Sequence, residues 1–133
     1  MEQTKFVFRK TDGATDIGIE AYDGSSGFSL TSTTEPDTAP DWSPDGLQIA
    51  WQAYPSGASA YAIMDANADG SGTPTEIARD DAISDSFPKW SPVSSDFAFV
   101  TNRNGGSEIW IMGVNGSTPT NLSGALSGDP QPS

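Results

Sequence analysis

The stretch Pro40-Asp41-Trp42-Ser43-Pro44-Asp45-Gly46, followed at once by Leu47-Gln48-Ile49-Ala50-Trp51, decides how the rest of the chain is read. It returns as Pro88-Lys89-Trp90-Ser91-Pro92, followed by Phe97-Ala98-Phe99-Val100. The two copies stand 48 residues apart, from Trp42 to Trp90. A period of roughly 20–50 residues marks a repeat architecture. In the first copy Asp45-Gly46 predicts a type I′ hairpin, whose two central positions need positive φ. In the second copy Val93-Ser94 takes that place, so the turn is less strongly encoded there.

Working outward, short strands are predicted over residues 5–9, 16–20, 28–31, 39–44, 48–53, 60–64, 75–78, 96–100, 108–112 and 120–123, with the third unit starting near Pro88. Each is an apolar or alternating run bounded by Gly, Asp, Asn, Ser or Pro. After Met64 a long turn running to Gly72 is expected. Lined up, the strands fall into three units. Phe6-Val7-Phe8 matches Ile49-Ala50-Trp51 and Phe97-Ala98-Phe99. The turn Asp23-Gly24-Ser25 matches Asp69-Gly70-Ser71 and Asn115-Gly116-Ser117, and the outer run Leu30-Thr31 matches Ile77-Ala78 and Leu122-Ser123. Four strands per unit of about 40–50 residues is the pattern of a β-propeller blade. The units are residues 1–38, 39–86 and 87–133, and the first lacks an inner strand of the Pro-x-Trp-Ser-Pro type.

Composition narrows the chemistry. The chain has 133 residues, room for one domain, with 14 Gly and 10 Pro, which suits many turns better than long helices. A formal net charge of −12 repels phosphate backbones and disfavours nucleic acid. Without cysteine or histidine there is no thiolate zinc site, no cysteine nucleophile and no imidazole base. No apolar run approaches the ~18 residues that span a bilayer.

The repeat resembles the TolB-type β-propeller repeat, a relative of WD-repeat blades. The resemblance rests on Pro40-Asp41-Trp42-Ser43-Pro44-Asp45-Gly46, Thr101-Asn102-Arg103, Ile109-Trp110-Ile111-Met112 and Asn67-Ala68-Asp69-Gly70-Ser71-Gly72. It implies blades whose first strand, carrying Trp42 or Trp90, lines a central channel, and whose last strand is outermost. It also implies a protein-interaction scaffold in a periplasmic or extracellular setting, and six blades to a ring. Three blades with two bare end faces are then expected to self-associate, most simply as a dimer that completes the ring. Similar blades form the gating propeller of prolyl-oligopeptidase-like peptidases, so a piece of such an enzyme is the rival expectation.

Several residues are candidates for chemistry. Asp65-x-Asn67-x-Asp69-Gly70, with Glu76 at the twelfth position, fits the spacing of an EF-hand calcium loop. In that reading Asp65, Asn67, Asp69, Glu76 and the Ser71 carbonyl hold Ca²⁺; in the other, the same residues are an empty repeat turn. Asp37, Asp85 and Asp129 recur once per unit. They are either a ring of carboxylates for a cation or basic peptide, or acceptors of backbone N–H groups that fix the turn into each inner strand. Ser43 and Ser91 have neither a histidine partner nor a Gly-x-Ser-x-Gly elbow, which argues against a serine nucleophile. Trp51, Tyr54, Tyr61 and Trp110 either stack on a ligand or pack between blades, and the repetition of apolar residues at the two tryptophan positions favours packing.

Overall fold

Alternation of apolar and polar residues, broken every few residues by Asp, Asn, Gly and Pro, gives eleven short strands and one brief helix among the described residues. The structure is a computed structural model and describes residues 4–126 except Asp12, Arg79, Asp81 and Gly116. The first sheet is β1 (Lys5–Lys10), β2 (Asp16–Ala21) and β3 (Gly27–Ser29), in that order. The second is β4 (Asp37–Trp42), β5 (Gln48–Ala53), β6 (Ala62–Asn67) and β7 (Thr75–Ala78). The third is β8 (Asp85–Trp90), β9 (Asp96–Thr101), β10 (Glu108–Gly113) and β11 (Thr120–Asn121), followed by α1 (Leu122–Leu126). All pairings are antiparallel between neighbours in sequence, so each sheet is one meandering blade of a β-propeller. β4 lies against β1 on one side and β8 on the other, which brings the first strands of the three blades to a common inner margin.

Register explains the core. On β5 the odd residues Ile49, Trp51 and Ala53 join Ile17 and Ile19 of β2 in one buried cluster, with Val7 against it. The even residue Ala50 joins Ile63, Trp90, Phe97, Phe99 and Met112 in a second cluster. The middle blade therefore presents one face to the blade before it and the other to the blade after it, as the two-residue period of a strand requires. Both faces of the middle blade are covered, and β5 accordingly reads as an unbroken buried run from Ile49 to Ala53. Each fully buried Ile or Phe in these clusters contributes about 1.5–3 kcal/mol. Polar links repeat with the packing. The Asp37 N–H donates to Thr15 O at 2.7 Å, and the Asp85 N–H donates to Tyr61 O at 3.0 Å, tying each complete blade's inner strand to the blade before it.

Three local expectations are corrected. The Ser43–Gln48 hairpin is not type I′. Gly46 has φ 73°, but Asp45 is not in the left-handed region, and Gly46 N–H closes the turn onto Ser43 O at 2.9 Å. Pro44 at the second turn position presets the φ of an ordinary type I turn, which leaves only the following glycine left-handed. The third blade makes the same hairpin without glycine, with Ser91 N–H on Asp96 O at 2.8 Å. β6 runs on to Asn67, so Asp65 and Asn67 are strand residues rather than part of a long turn, held by the pairs Ala50↔Asp65 and Gln48↔Asn67. The last outer strand is only Thr120–Asn121; the chain turns into α1 at Leu122, where the Asn121 side chain accepts the Gly124 N–H at 2.6 Å.

Candidate functional site

Of the recurrent aspartates, the two described ones, Asp37 and Asp85, begin the inner strands β4 and β8, and both are buried. Asp37 accepts the Trp51 Nε1–H at 3.0 Å and the Thr33 hydroxyl at 3.0 Å. Burial nevertheless raises its pKa, with hydrogen bonds from Thr31, Thr33 and Trp51 opposing and the charge of Asp16 adding. Asp85 is 1% exposed, and both of its oxygens receive Arg103 Nη2, at 3.0 and 3.1 Å. The Arg103 guanidinium lies 4.6 Å from the Trp110 ring and 5.5 Å from that of Phe99. These carboxylates are structural acceptors, but their donors are side chains rather than the backbone N–H groups expected. Asp129 lies outside the described residues.

Two residues that the sequence analysis did not single out stand between those aspartates and the tryptophans. Ala39 and Phe87 occupy one repeat position, each just before a proline, and each has φ 52°. Both sit at register shifts, between Thr38 and Asp41 and between Ser86 and Lys89. A non-glycine residue in the left-handed region costs of order 1 kcal/mol, so its recurrence means that the surroundings fix it. At Phe87 one such restraint is visible, its N–H donating to Gln52 Oε1 at 3.1 Å. Phe87 is 58% exposed on the inner strand β8, which also carries Lys89 of the Lys89–Asp41 ion pair at 3.2 Å. The same Asp41 accepts the Trp90 N–H at 2.7 Å. The only sequence signal for this bulge is the recurring proline at the next position, which removes a ladder donor.

The 65–76 segment is arranged as follows. Asp69 Oδ1 accepts the Ser71 N–H at 2.8 Å, the same turn as Ser25 on Asp23 and Ser117 on Asn115. Those hydrogen bonds lower the pKa of Asp69 and of Asp23. The Asn67 amide donates to the Ser71 carbonyl and hydroxyl, both at 3.2 Å, and so takes up the carbonyl that the loop reading assigns to a cation. Glu76 lies opposite Met64 on β7. Asp65 is buried on the row Asp41, Ala50, Asp65, Thr75, facing the third blade; its Oδ2 accepts Gln48 Nε2 at 3.1 Å. Its Oδ1 has no partner among the described residues, and burial pushes its pKa up to about 6. Among those residues no group of three acidic, histidine or cysteine side chains gathers to hold a metal ion.

The remaining candidates are structural. The Ser43 hydroxyl donates to Asp45 and accepts the Gln48 N–H, while Ser91 Oγ accepts the Val93 N–H. Trp51 is 2% exposed, and Tyr54 and Tyr61 meet edge to face at 5.2 Å. Trp90 is in the second core cluster and Trp42 packs against the first; the Nε1 of each is buried with no partner among the described residues. No helix among the described residues is long and apolar enough to cross a membrane.

Known proteins agree with this geometry. Over short stretches the chain is similar to the Tol-Pal system protein TolB of Blochmanniella pennsylvanica, 40% identical over 52 residues, which is 39% of this chain and 12% of that protein. It is 33% identical over 49 residues to the same protein of Actinobacillus succinogenes, 37% of this chain and 12% of the relative. The chain thus matches only about one-eighth of the length of these relatives. Among solved structures, a putative TolB from Agrobacterium tumefaciens superposes with a TM-score of 0.77 at 24% identity, over 90% of this chain and 45% of that one. A Mycobacterium tuberculosis puromycin-hydrolyzing peptidase superposes at 0.68 and 17% identity, over 89% of this chain and 20% of that one. At these identities the likeness to solved structures shows the fold alone. The model of the TolB beta propeller domain matches residues 3–133, and the chain belongs to that family.

Proposed function

We propose that the chain is a non-enzymatic TolB-like propeller module that binds protein in an extracytoplasmic compartment, its partners including a second copy of itself. The observation that carries this reading is the inner margin. There Phe87 is held outward by a strained backbone, while the nearby carboxylates Asp37 and Asp85 are occupied by internal donors. An exposed aromatic on a rigid strand is an anchor for a partner rather than a group that does chemistry. The relatives' Tol-Pal assembly supplies the partners to try. Calorimetric titration of the chain with purified proteins of a Tol-Pal system is expected to show binding that Phe87→Ala weakens at least about tenfold. Heat from none of them, or hydrolysis of peptide amides by the chain alone, overturns the proposal.

A second reading has one observation in its favour, the likeness to part of a puromycin-hydrolyzing peptidase. In that reading these blades belong to a larger hydrolase, and its mark is a Gly-x-Ser-x-Gly segment in a longer parent reading frame. Calcium at residues 65–76 is a separate proposal, supported by the twelve-residue spacing and by the unpartnered Asp65 oxygen.

A further inference from the structure

We infer that the groove between the second and third blades, beside the β4–β5 and β8–β9 hairpins, takes the basic side chain, lysine or arginine, of a protein segment. It does not involve Phe87 and stands apart from the reading above. Grooves open at both junctions, of about 480 Å³ at the first and about 440 Å³ at the second. They are built from the same repeat positions. Trp42 lines the first and Trp90 the second, and the hairpin pairs Gly46-Leu47 and Ser94-Ser95 correspond. So do Lys5 and Gln48, the first residues of the matching strands β1 and β5.

In the first groove the chain supplies its own cation. Lys5 lines it together with Asp69. Hydrogen bonds with Ser71 lower the pKa of Asp69, and the charge of Lys5 adds to the effect. Trp42 and the exposed Leu47 complete walls that suit the methylene stem of a lysine, which lies along apolar surface while its head stays with the charge.

The second groove has the apolar walls and the negative charge without the cation. Trp90, Pro44, Pro92 and Val93 supply apolar surface, and Val93 is 90% exposed. Asp45 lines it too; hydrogen bonds from the Ser43 hydroxyl and the Leu47 N–H lower its pKa, so it is ionised at neutral pH. Gln48 stands where the first groove has Lys5, and its Nε2 donates at 3.1 Å to Asp65. Asp65 is 7% exposed, and its other oxygen has no partner among the described residues. Ser94, also on the wall, donates to Asp96 Oδ2 at 3.0 Å. Three carboxylates thus line the groove or are bonded to residues that line it, while no lysine or arginine among the described residues does so. A cleft lined by one sign of charge concentrates ions of the other. Among the described residues these acids do not gather closely enough to hold a metal ion. Spread charge beside apolar walls instead matches a cation on an apolar stem, which the face of an aromatic ring also attracts.

The probes are the acetylated methylamides of lysine, arginine and norleucine. They are titrated into the 133-residue chain in chelator and followed by the Trp90 indole and Gln48 amide signals in two-dimensional NMR. The lysine and arginine probes are expected to shift both signals saturably at millimolar concentration; norleucine, which keeps the stem and drops the charge, is not. Asp45→Asn keeps an acceptor for the hairpin and is expected to weaken binding about threefold. Gln48→Lys copies the first groove and is expected to abolish binding, whereas Asp23→Asn, in the β2–β3 turn of the first blade, leaves it unchanged. No shift with either basic probe overturns the inference, as does undiminished binding to Gln48→Lys. An equal response to norleucine would mean that apolar surface alone is read, and an equal loss in Asp23→Asn that net charge alone is; either result also overturns it.

Discussion

Asp65→Asn is expected to stabilise the chain at neutral pH, and the size follows from where the side chain lies. Asp65 faces the third blade with one oxygen on Gln48 and the other unpartnered among the described residues. Burial raises its pKa from 3.8 to about 6, against a smaller opposing effect of the Ala66 N–H. The native value lies above the unfolded one, so the charged form is the disfavoured one in the fold. Below about pH 4 the residue is neutral in both states and costs nothing. As pH rises through about 6 the native state must hold a charge that the unfolded chain keeps in water, and the penalty is complete above about 7. A change of this size corresponds to about 3 kcal/mol as a ceiling. Gln48 is only half-buried, so some water screens the site, and a net gain of about 1–2 kcal/mol for the amide is the working figure. Urea denaturation of both proteins in chelator, at several pH values, reads the difference directly. The gap is expected to be widest near pH 7.5, to narrow through about pH 6 and to close below about pH 4. Asp37, whose pKa is also raised, is common to both proteins and cancels. A variant less stable than the parent at pH 7.5, or a gap that ignores pH, would refute the reasoning.

Asp85→Asn leaves the Arg103 guanidinium without its buried counter-ion and is expected to cost about 3–5 kcal/mol in the same denaturation assay, whereas a loss under 1 kcal/mol would mean that the aromatic sandwich holds the arginine unaided. Trp51→Phe keeps the packing but strips Asp37 Oδ1 of its indole donor, and about 1–3 kcal/mol should be lost; an unchanged midpoint would show that Thr33 suffices. For the calcium proposal, millimolar Ca²⁺ is expected to raise the melting temperature of the parent but not of Asp65→Ala; equal melts with Ca²⁺ and with chelator would remove it. Gly70→Ala, with φ 78° and the Phe28 ring 3.0 Å from the added Cβ, should lower the melting temperature and loosen the packing of β3 on the second blade.

The repeat carried most of the fold into view. Once Trp42 and Trp90 are set in register, strand order and the equivalence of Ile49, Trp51, Phe97 and Phe99 follow from alternation alone. What stayed hidden has two physical causes. The left-handed Ala39 and Phe87 depend on a bulge that no propensity encodes in alanine or phenylalanine. The exchange of β11 for α1 after Asn121 is a local competition, settled by the asparagine accepting the Gly124 N–H. The candidate cation loop shows the limit of spacing arguments. Asp65, Asn67 and Asp69 have the right intervals, yet β6 claims the first two for its ladder, and the Asn67 amide takes the Ser71 carbonyl. Interval alone cannot tell a coordinating loop from a strand that ends in an Asx turn.

The recurring aspartates show what the fold demands and what it leaves to the side chains. The two described ones, Asp37 and Asp85, stand where an inner strand begins, each with its N–H fixed on a carbonyl of the preceding blade, Thr15 for Asp37 and Tyr61 for Asp85. That backbone bond delivers a carboxylate into a buried space in every complete blade, and an unpaired carboxylate there would cost several kcal/mol. The blade must therefore supply donors, and the two blades do it differently. The second uses neutral donors from Trp51 and Thr33, and the pKa of Asp37 stays raised by burial. The third uses a full charge on Arg103, two residues past β9, and shields it between Phe99 and Trp110. At that position the second blade has Pro55, which brings no donor at all, and so the indole of Trp51 turns to the aspartate instead. The aspartate is thus dictated by the backbone, and its partner by what the neighbouring loop makes reachable, which is why the acidic position repeats by eye while its partners do not.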